Sequence, residues 1–175
     1  MYLLLILLIN IIFSSDWSID TTYSYIKYTG NHPLHSWTGI SKDVNFKLNC
    51  DNNNNCKLAV STPLDKFDSG NDSRDSNMLY YTESLIYPNV SFKSNSFILN
   101  EEFDKSIDIN GLLNFHGINK EISLKIKLIN EGEALWGLCD FNLNLESFKI
   151  DRPSLLMIKI NENIIIETKL KIIKE

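Results

Sequence analysis

Three histidines, two arginines and three cysteines hold most of the reactive side-chain chemistry in this 175-residue chain. His32-x-x-His35 together with His116 offers imidazoles to zinc or copper, but no fourth ligand stands at a defined spacing. Arg74 and Arg152 are the side chains able to clamp a phosphate or carboxylate through charge-assisted bonds. Asp75 follows Arg74, yet that pair cannot work as base and acid, because a guanidinium does not give up its proton. There is no G-x-S-x-G elbow, no glycine-rich phosphate loop after a strand, no C-x-x-C and no H-E-x-x-H. The chain reads as a non-enzyme with no metal site.

Cys50 and Cys56 flank the tip Asp51-Asn52-Asn53-Asn54-Asn55, between two alternating apolar segments. Cross-strand residues beside such a turn sit at a separation that a disulfide bridges. The loop is short, so the expected gain is about 2 kcal/mol in the chain-entropy picture. Two reduced thiols are the alternative. Cys139 is left over, and its parity puts it among core residues as a small hydrophobe.

The scaffold that must place these groups is written in period-two alternation. Apolar residues alternate with polar ones over 24–29, 44–49, 58–60, 89–93, 107–115, 122–128, 139–145 and 164–172. Eight half-buried antiparallel strands in sequence predict an all-β, up-and-down barrel, which at that size is packed solid or encloses one ligand cavity. The inward set gives the candidate wall: Ile26 and Tyr28, Phe46, Phe92, then Ile109, Gly111, Leu113 and Phe115, then Phe141 and Leu143. Gly111 reads as a hole in a bulky row, where a large residue would obstruct a tunnel. One short helix is predicted in the connection between the third and fourth strands, from Asp75 to Leu85, capped by Ser73 or Asp75. Met78 is its candidate wall residue. Pro153-Ser154-Leu155-Leu156 suggests one more helical turn.

If neighbouring strands reverse direction, the connections 30–40, 63–86, 116–120 and 147–161 share one end of the barrel. That end then collects every histidine, both arginines and Trp37, and reads as the mouth. Trp37 is a lid or simply a cover. Arg74 and Arg152 are candidate head-group contacts, with loop-building roles as the alternative. His116, beside Gly117, reads as a turn-stabilising side chain. The opposite end takes the Asn tip and acidic turns.

Composition bounds the function. Seventeen cations against twenty-two carboxylates leave a net charge of −5, which argues against a nucleic-acid partner. Hydrophobic residues at 43% suffice for one sizeable core, hence one domain over 16–175. Tyr2 to Phe13 is almost wholly apolar, is too short to span a bilayer, and is followed by Ser14-Ser15. Residues 1–15 therefore read as a signal peptide, which leaves no stable membrane span and a periplasmic or secreted protein.

Four stretches resemble the YceI-like family, exported lipocalin-like proteins that bind polyisoprenoids. They are Trp17-Ser18-Ile19-Asp20 with Ser24-x-Ile26-x-Tyr28; Phe67 to Met78 followed by Tyr87-Pro88-x-Val90-x-Phe92-x-Ser94; Gly111 to Lys120; and Phe148 to Ser154. Asn77 stands where the family often has histidine, and the Cys-flanked Asn tip is not a general family feature. The resemblance implies a lipocalin-like barrel whose apolar tunnel holds a polyprenyl or fatty-acyl lipid, with no other cofactor. The alternatives are a metal- or haem-linked accessory factor and a ligand-free structural barrel; a homodimer is compatible with any of them.

Overall fold

A computed structural model describes residues 15–99, 105–131 and 134–174. The expected signal segment lies almost wholly outside the described residues, as do parts of the two acidic turns. Strands β1 (Ser15–Ile19) and β2 (Tyr25–His32) lie end to end along β13 (Asn163–Lys174). Strands β3 (His35–Ser41) and β4 (Asn45–Cys50) continue one another in the same way, β3 on β2 and β4 on β1. Then β5 (Asn55–Pro63), β6 (Asn89–Ser94), β8 (Ser106–Phe115), β9 (Ile118–Glu131) and β10 (Ala134–Asn144) follow in order, each antiparallel to the last. A short β7 (Phe97–Ile98) pairs with the start of β5. Counting the two interrupted pairs as one stave each gives a closed eight-stranded antiparallel barrel.

Both interruptions are stitched. At the first, Asp20 N–H donates to the Lys171 carbonyl at 2.9 Å and Lys171 N–H to Ser24 Oγ at 3.0 Å. At the second, buried Ser41 and Thr62 share a hydroxyl–hydroxyl bond of 2.9 Å, and Ile40 bridges to Asp68. Buried hydroxyls are thereby satisfied where the ladder is broken, as low-dielectric surroundings require.

Three local expectations are corrected. The segment 35–41, assigned above to a loop, is strand β3. Helix α1 spans Asp72–Tyr81 rather than 75–85, because Asn71 caps it by accepting from Arg74 N–H at 2.9 Å. It stops after Thr82 because Glu83 turns left-handed, at φ 47°. Pro153 to Leu156 do not form a helical turn. They lead into a two-stranded ribbon of β11 (Ser154–Leu155) and β12 (Ile158–Lys159), with Leu156 and Met157 at its tip.

The registers place the β2–β3 turn, α1 with its flanking loops, the β8–β9 turn and the β10–β13 connection at one end of the barrel. The disulfide tip lies at the other. Cys50 and Cys56 are bonded there and are directly opposed in the β4–β5 register. Asp51 closes the tip by accepting from Asn53 and Asn55 N–H at 2.8 and 3.0 Å. Those backbone donors hold its carboxyl below the usual carboxylate range, so acidification weakens the turn.

Candidate functional site

Alternation turns one face of every stave inward, and the space they enclose is not filled. The barrel holds a lower cavity of about 140 Å³ toward the disulfide end and an upper one of about 380 Å³ beneath α1. Phe67, Val90, Leu143 and Ile166 border both, so they form the waist at which the two chambers adjoin. The lower chamber is walled mostly by hydrocarbon, with Ile26, Phe46, Phe92, Ile109, Leu113 and Phe141 all on it, and among the described residues no ionisable group lines it except the thiol of Cys139.

Below the waist the polar side chains are the hydroxyls of Ser61, Thr62, Ser91 and Thr168; among the described residues, charged and imidazole groups gather only above it. Arg74, Asn77 and Met78 reach the upper chamber from α1, His35 and Trp37 from β3, and Tyr28 and His32 from β2. Gly30 and Gly39 let the aromatic rings lie flat: a Cβ on Gly30 would stand 2.5 Å from the Trp37 ring, and one on Gly39 2.3 Å from that of Tyr28. Phe67 meets Tyr28 edge-on at 5.5 Å, and the Arg74 guanidinium lies 5.8 Å over Trp37. These contacts span the gap between β3 and the chain leading into α1.

The Tyr28 phenol is the conspicuous group. It is 9% exposed, and among the described residues nothing accepts its proton. Burial pushes its pKa up to about 12 and Asp75 adds to the rise, against Arg74 and the Trp37 indole. The O–H therefore stays protonated, facing the chamber as a donor.

Most of the sequence-derived wall residues reach the channel; two do not. Gly111 is not on its wall: a Cβ there would stand 2.4 Å from the Lys93 carbonyl oxygen and 2.7 Å from Ser94 Cα, so the site is where β6 crosses closely over β8. Arg152 bonds the Ile160 carbonyl at 2.8 Å and Glu146 at 2.7 Å, shaping the β10–β13 connection away from both chambers. Arg74 does reach the upper chamber while also donating to the Ser69 carbonyl at 3.3 Å. Asp75 accepts from Ser69 N–H.

His32 and His35 are brought together, ring centroids 5.8 Å apart, but both ring nitrogens of His32 are already engaged. His32 donates from Nε2 to the Ile158 carbonyl at 3.1 Å and accepts from Leu34 N–H at Nδ1. His116 bonds the Phe148 carbonyl and Glu83, both at 2.9 Å, and so ties three mouth loops together. No cluster of three metal-ligating side chains occurs among the described residues.

Many wall residues were not among the candidates, including Phe67, Val90 and Ile166 of the waist; Gly137 is the one with the sharpest consequence. Gly137 of β10 faces the lower chamber, and a Cβ there would meet nothing nearer than Ile172 Cδ1 at 3.4 Å. Its parity with Cys139 is the signal that points to it.

Cys139 supplies a reporter on the same wall. Burial, aided by Asp140, pushes its thiol up to about 11. Against an ordinary value of 9.0, the thiolate at pH 8 is about a hundredfold scarcer. Alkylation should be correspondingly slow and should keep rising with pH to about 11; levelling off near 9 would contradict the buried placement.

The sequence profile of the YceI-like domain matches residues 17–172. The chain belongs to the YceI-like family. Within it, the protein YceI of Escherichia coli O6:H1 is 27% identical over 131 residues, which cover 71% of this chain and 67% of that one. BcnA of Burkholderia cenocepacia superposes with a TM-score of 0.76 at 12% identity, over 89% of this chain and 99% of that one. A polyisoprenoid-binding domain from Saccharophagus degradans, implicated in plant cell wall breakdown, gives 0.71 at 13% identity, over 94% and 99%. At those identities the two structures establish a shared YceI-like fold. The motifs singled out by resemblance fall mainly at the mouth of this YceI-like barrel, in and around α1, the β8–β9 turn and the β10–β13 connection.

Proposed function

We propose that this chain is a non-catalytic carrier that holds one isoprenoid or long-chain acyl lipid, tail in the lower chamber and polar end in the upper. The observation that carries the reading is the pair of largely apolar chambers that share a waist, with charged and imidazole side chains, among the described residues, lining only the upper one. A solid structural barrel would leave no such space, since protein interiors pack to near-crystalline density. The polyisoprenoid-binding neighbour supports the same ligand class. Export to the periplasm or outside the cell, after loss of residues 1–15, suits a chain with a disulfide. Among the described residues no helix is long and apolar enough to cross a membrane.

Within this reading Tyr28 donates to an oxygen of the ligand's polar end, with Arg74 close by. Native mass spectrometry of a detergent-free chain starting at Asp16, coupled to organic extraction, tests the carrier role. One discrete lipid per chain is the expected result, and a protein whose mass no polyprenyl or acyl lipid shifts would refute it. Tyr28→Phe refines the test. The apo protein should be as stable as before or more so, because a buried donor without an acceptor is removed. Affinity for a lipid with an oxygen at its head should fall about three- to tenfold, and affinity for a pure hydrocarbon should not. Equal losses for both would remove Tyr28 from head-group binding.

A further inference from the structure

The ribbon that closes the β10–β13 connection is built against the usual rules. Leu156 and Met157 occupy its two-residue tip with φ of 50° and 66°, a conformation that asparagine and glycine adopt far more easily. Both side chains point into solvent, at 76% and 99% exposure. Leu155 and Ile158 beside them are exposed as well, and so is Leu34 on the β2–β3 turn. The His32 bond to the Ile158 carbonyl joins that turn to the ribbon. A soluble surface gains nothing from this arrangement.

Three further observations say what covers it. Leu155 is both surface and chamber wall, so the patch runs without a break into the channel mouth. In a chain of net charge −5, the ribbon segment 153–161 and the adjoining β2–β3 turn 30–35 contain no carboxylate, and the ribbon carries only Lys159; the acids of this end, Glu83, Asp151 and Glu162 among them, lie outside those two segments. The patch is also small: Leu34, Leu155, Leu156, Met157 and Ile158 are five residues, against the roughly 20–30 a side that a stable protein interface uses. A narrow, acid-free, apolar finger suits a fluid partner, which need not be complementary in shape.

We infer that the Leu156–Met157 tip inserts into a lipid bilayer and seats the channel mouth on it. This rests on the carrier reading in one respect, since a water-insoluble ligand must be collected from or delivered to a lipid surface. Leu34 enters with the tip, while Leu85 and Ile86 on the α1–β6 loop offer a second exposed apolar contact at the same end.

The test is vesicle flotation of the chain starting at Asp16, with phosphatidylcholine vesicles and with an equimolar phosphatidylcholine–phosphatidylglycerol mixture. The wild type should float with both. The double variant Leu156→Asn/Met157→Gly should lose about tenfold or more in partitioning. Its melting temperature should rise, because both residues suit the left-handed tip. Lipid held in the channel, read by native mass spectrometry, should be unchanged. Several results would overturn the inference: a wild type that ignores both vesicles, a variant that floats equally well, binding only to the anionic vesicles that salt abolishes, or a concentration-dependent dimer that the variant dissolves. A protein that holds lipid yet ignores vesicles sinks the docking alone. One that floats but holds no lipid sinks the carrier reading alone.

Discussion

Gly111→Ala should destabilise the protein by about 3 kcal/mol or more, the largest effect expected of any single methyl in this barrel. The added Cβ would stand 2.4 Å from the Lys93 carbonyl oxygen and 2.7 Å from both Ser94 Cα and the Phe92 ring. Two of those three neighbours are backbone, and no rotamer change can withdraw them. The β6 chain is held there from both sides: Ser94 opposes Gly111 in the ladder, and Asn95 N–H donates to the Asn110 carbonyl at 2.8 Å. Ser94 Oγ, meanwhile, accepts from Leu58 N–H at 2.8 Å on β5. Making room for one methyl means parting β6 from β8 or from β5. In a urea titration the midpoint should fall by about 1 M or more with the slope unchanged. A shift within about 0.3 M would mean that β6 does not cross β8 as closely as described.

The reasons why the barrel was legible, and where it was not, are the same physics. A half-buried antiparallel strand has to alternate, and each of the eight staves contains a segment where Ile, Leu, Val and Phe do so. Strand β3 escaped because its inward residues are Trp37, Gly39 and Ser41 while Ile40 faces out. Gly39 makes room for the Tyr28 ring and Ser41 bonds Thr62, so packing demanded small residues where hydrophobicity would have marked the strand. The end-sorting of loops survived this omission because β3 and β4 run on as one stave, which leaves the parity of reversals intact. The ribbon was missed for the opposite reason. Leu156-Met157 is a poor turn sequence, and only the folded chain shows that it makes one.

The site was legible as a set of inward positions and illegible as a shape. Parity alone put Ile26, Phe46 and Leu143 on the wall, because facing inward in a barrel and lining its cavity are nearly the same condition. It could not tell an inward glycine that leaves space from one that neighbouring backbone fills. Nor could it show which loop residues meet. Arg74 comes over Trp37 because Asn71 sets where α1 starts, whereas Arg152 is drawn off to Glu146 and Ile160. The path each loop takes, which parity does not encode, decides those outcomes.

Gly137→Phe should leave a folded protein that no longer accepts a long lipid tail. A Cβ at this position meets only Ile172 Cδ1 at 3.4 Å and Ile126 Cγ2 at 4.0 Å, which is ordinary contact. The ring then points into the lower chamber of about 140 Å³. A cavity of about 150 Å³ takes up a benzene molecule, so the chamber has nearly the volume that the new ring needs. Filling it restores dispersion contacts that the empty wall lacks, and the variant also removes a glycine that is costly to order within a strand. Stability should hold or rise by about 1 kcal/mol, against the loss predicted for Gly111→Ala. Binding should change by length: lipids short enough for the upper chamber alone keep their affinity, and those that must pass the waist at Phe67, Val90, Leu143 and Ile166 lose it. Occupancy measured by native mass spectrometry across a series of acyl or prenyl chain lengths would show a cut-off in the variant and none in the wild type. If the variant is stable and still carries the longest chain, the tail does not lie in the lower chamber. If it unfolds, that chamber is not open space, and the contrast between the two glycines is lost with it.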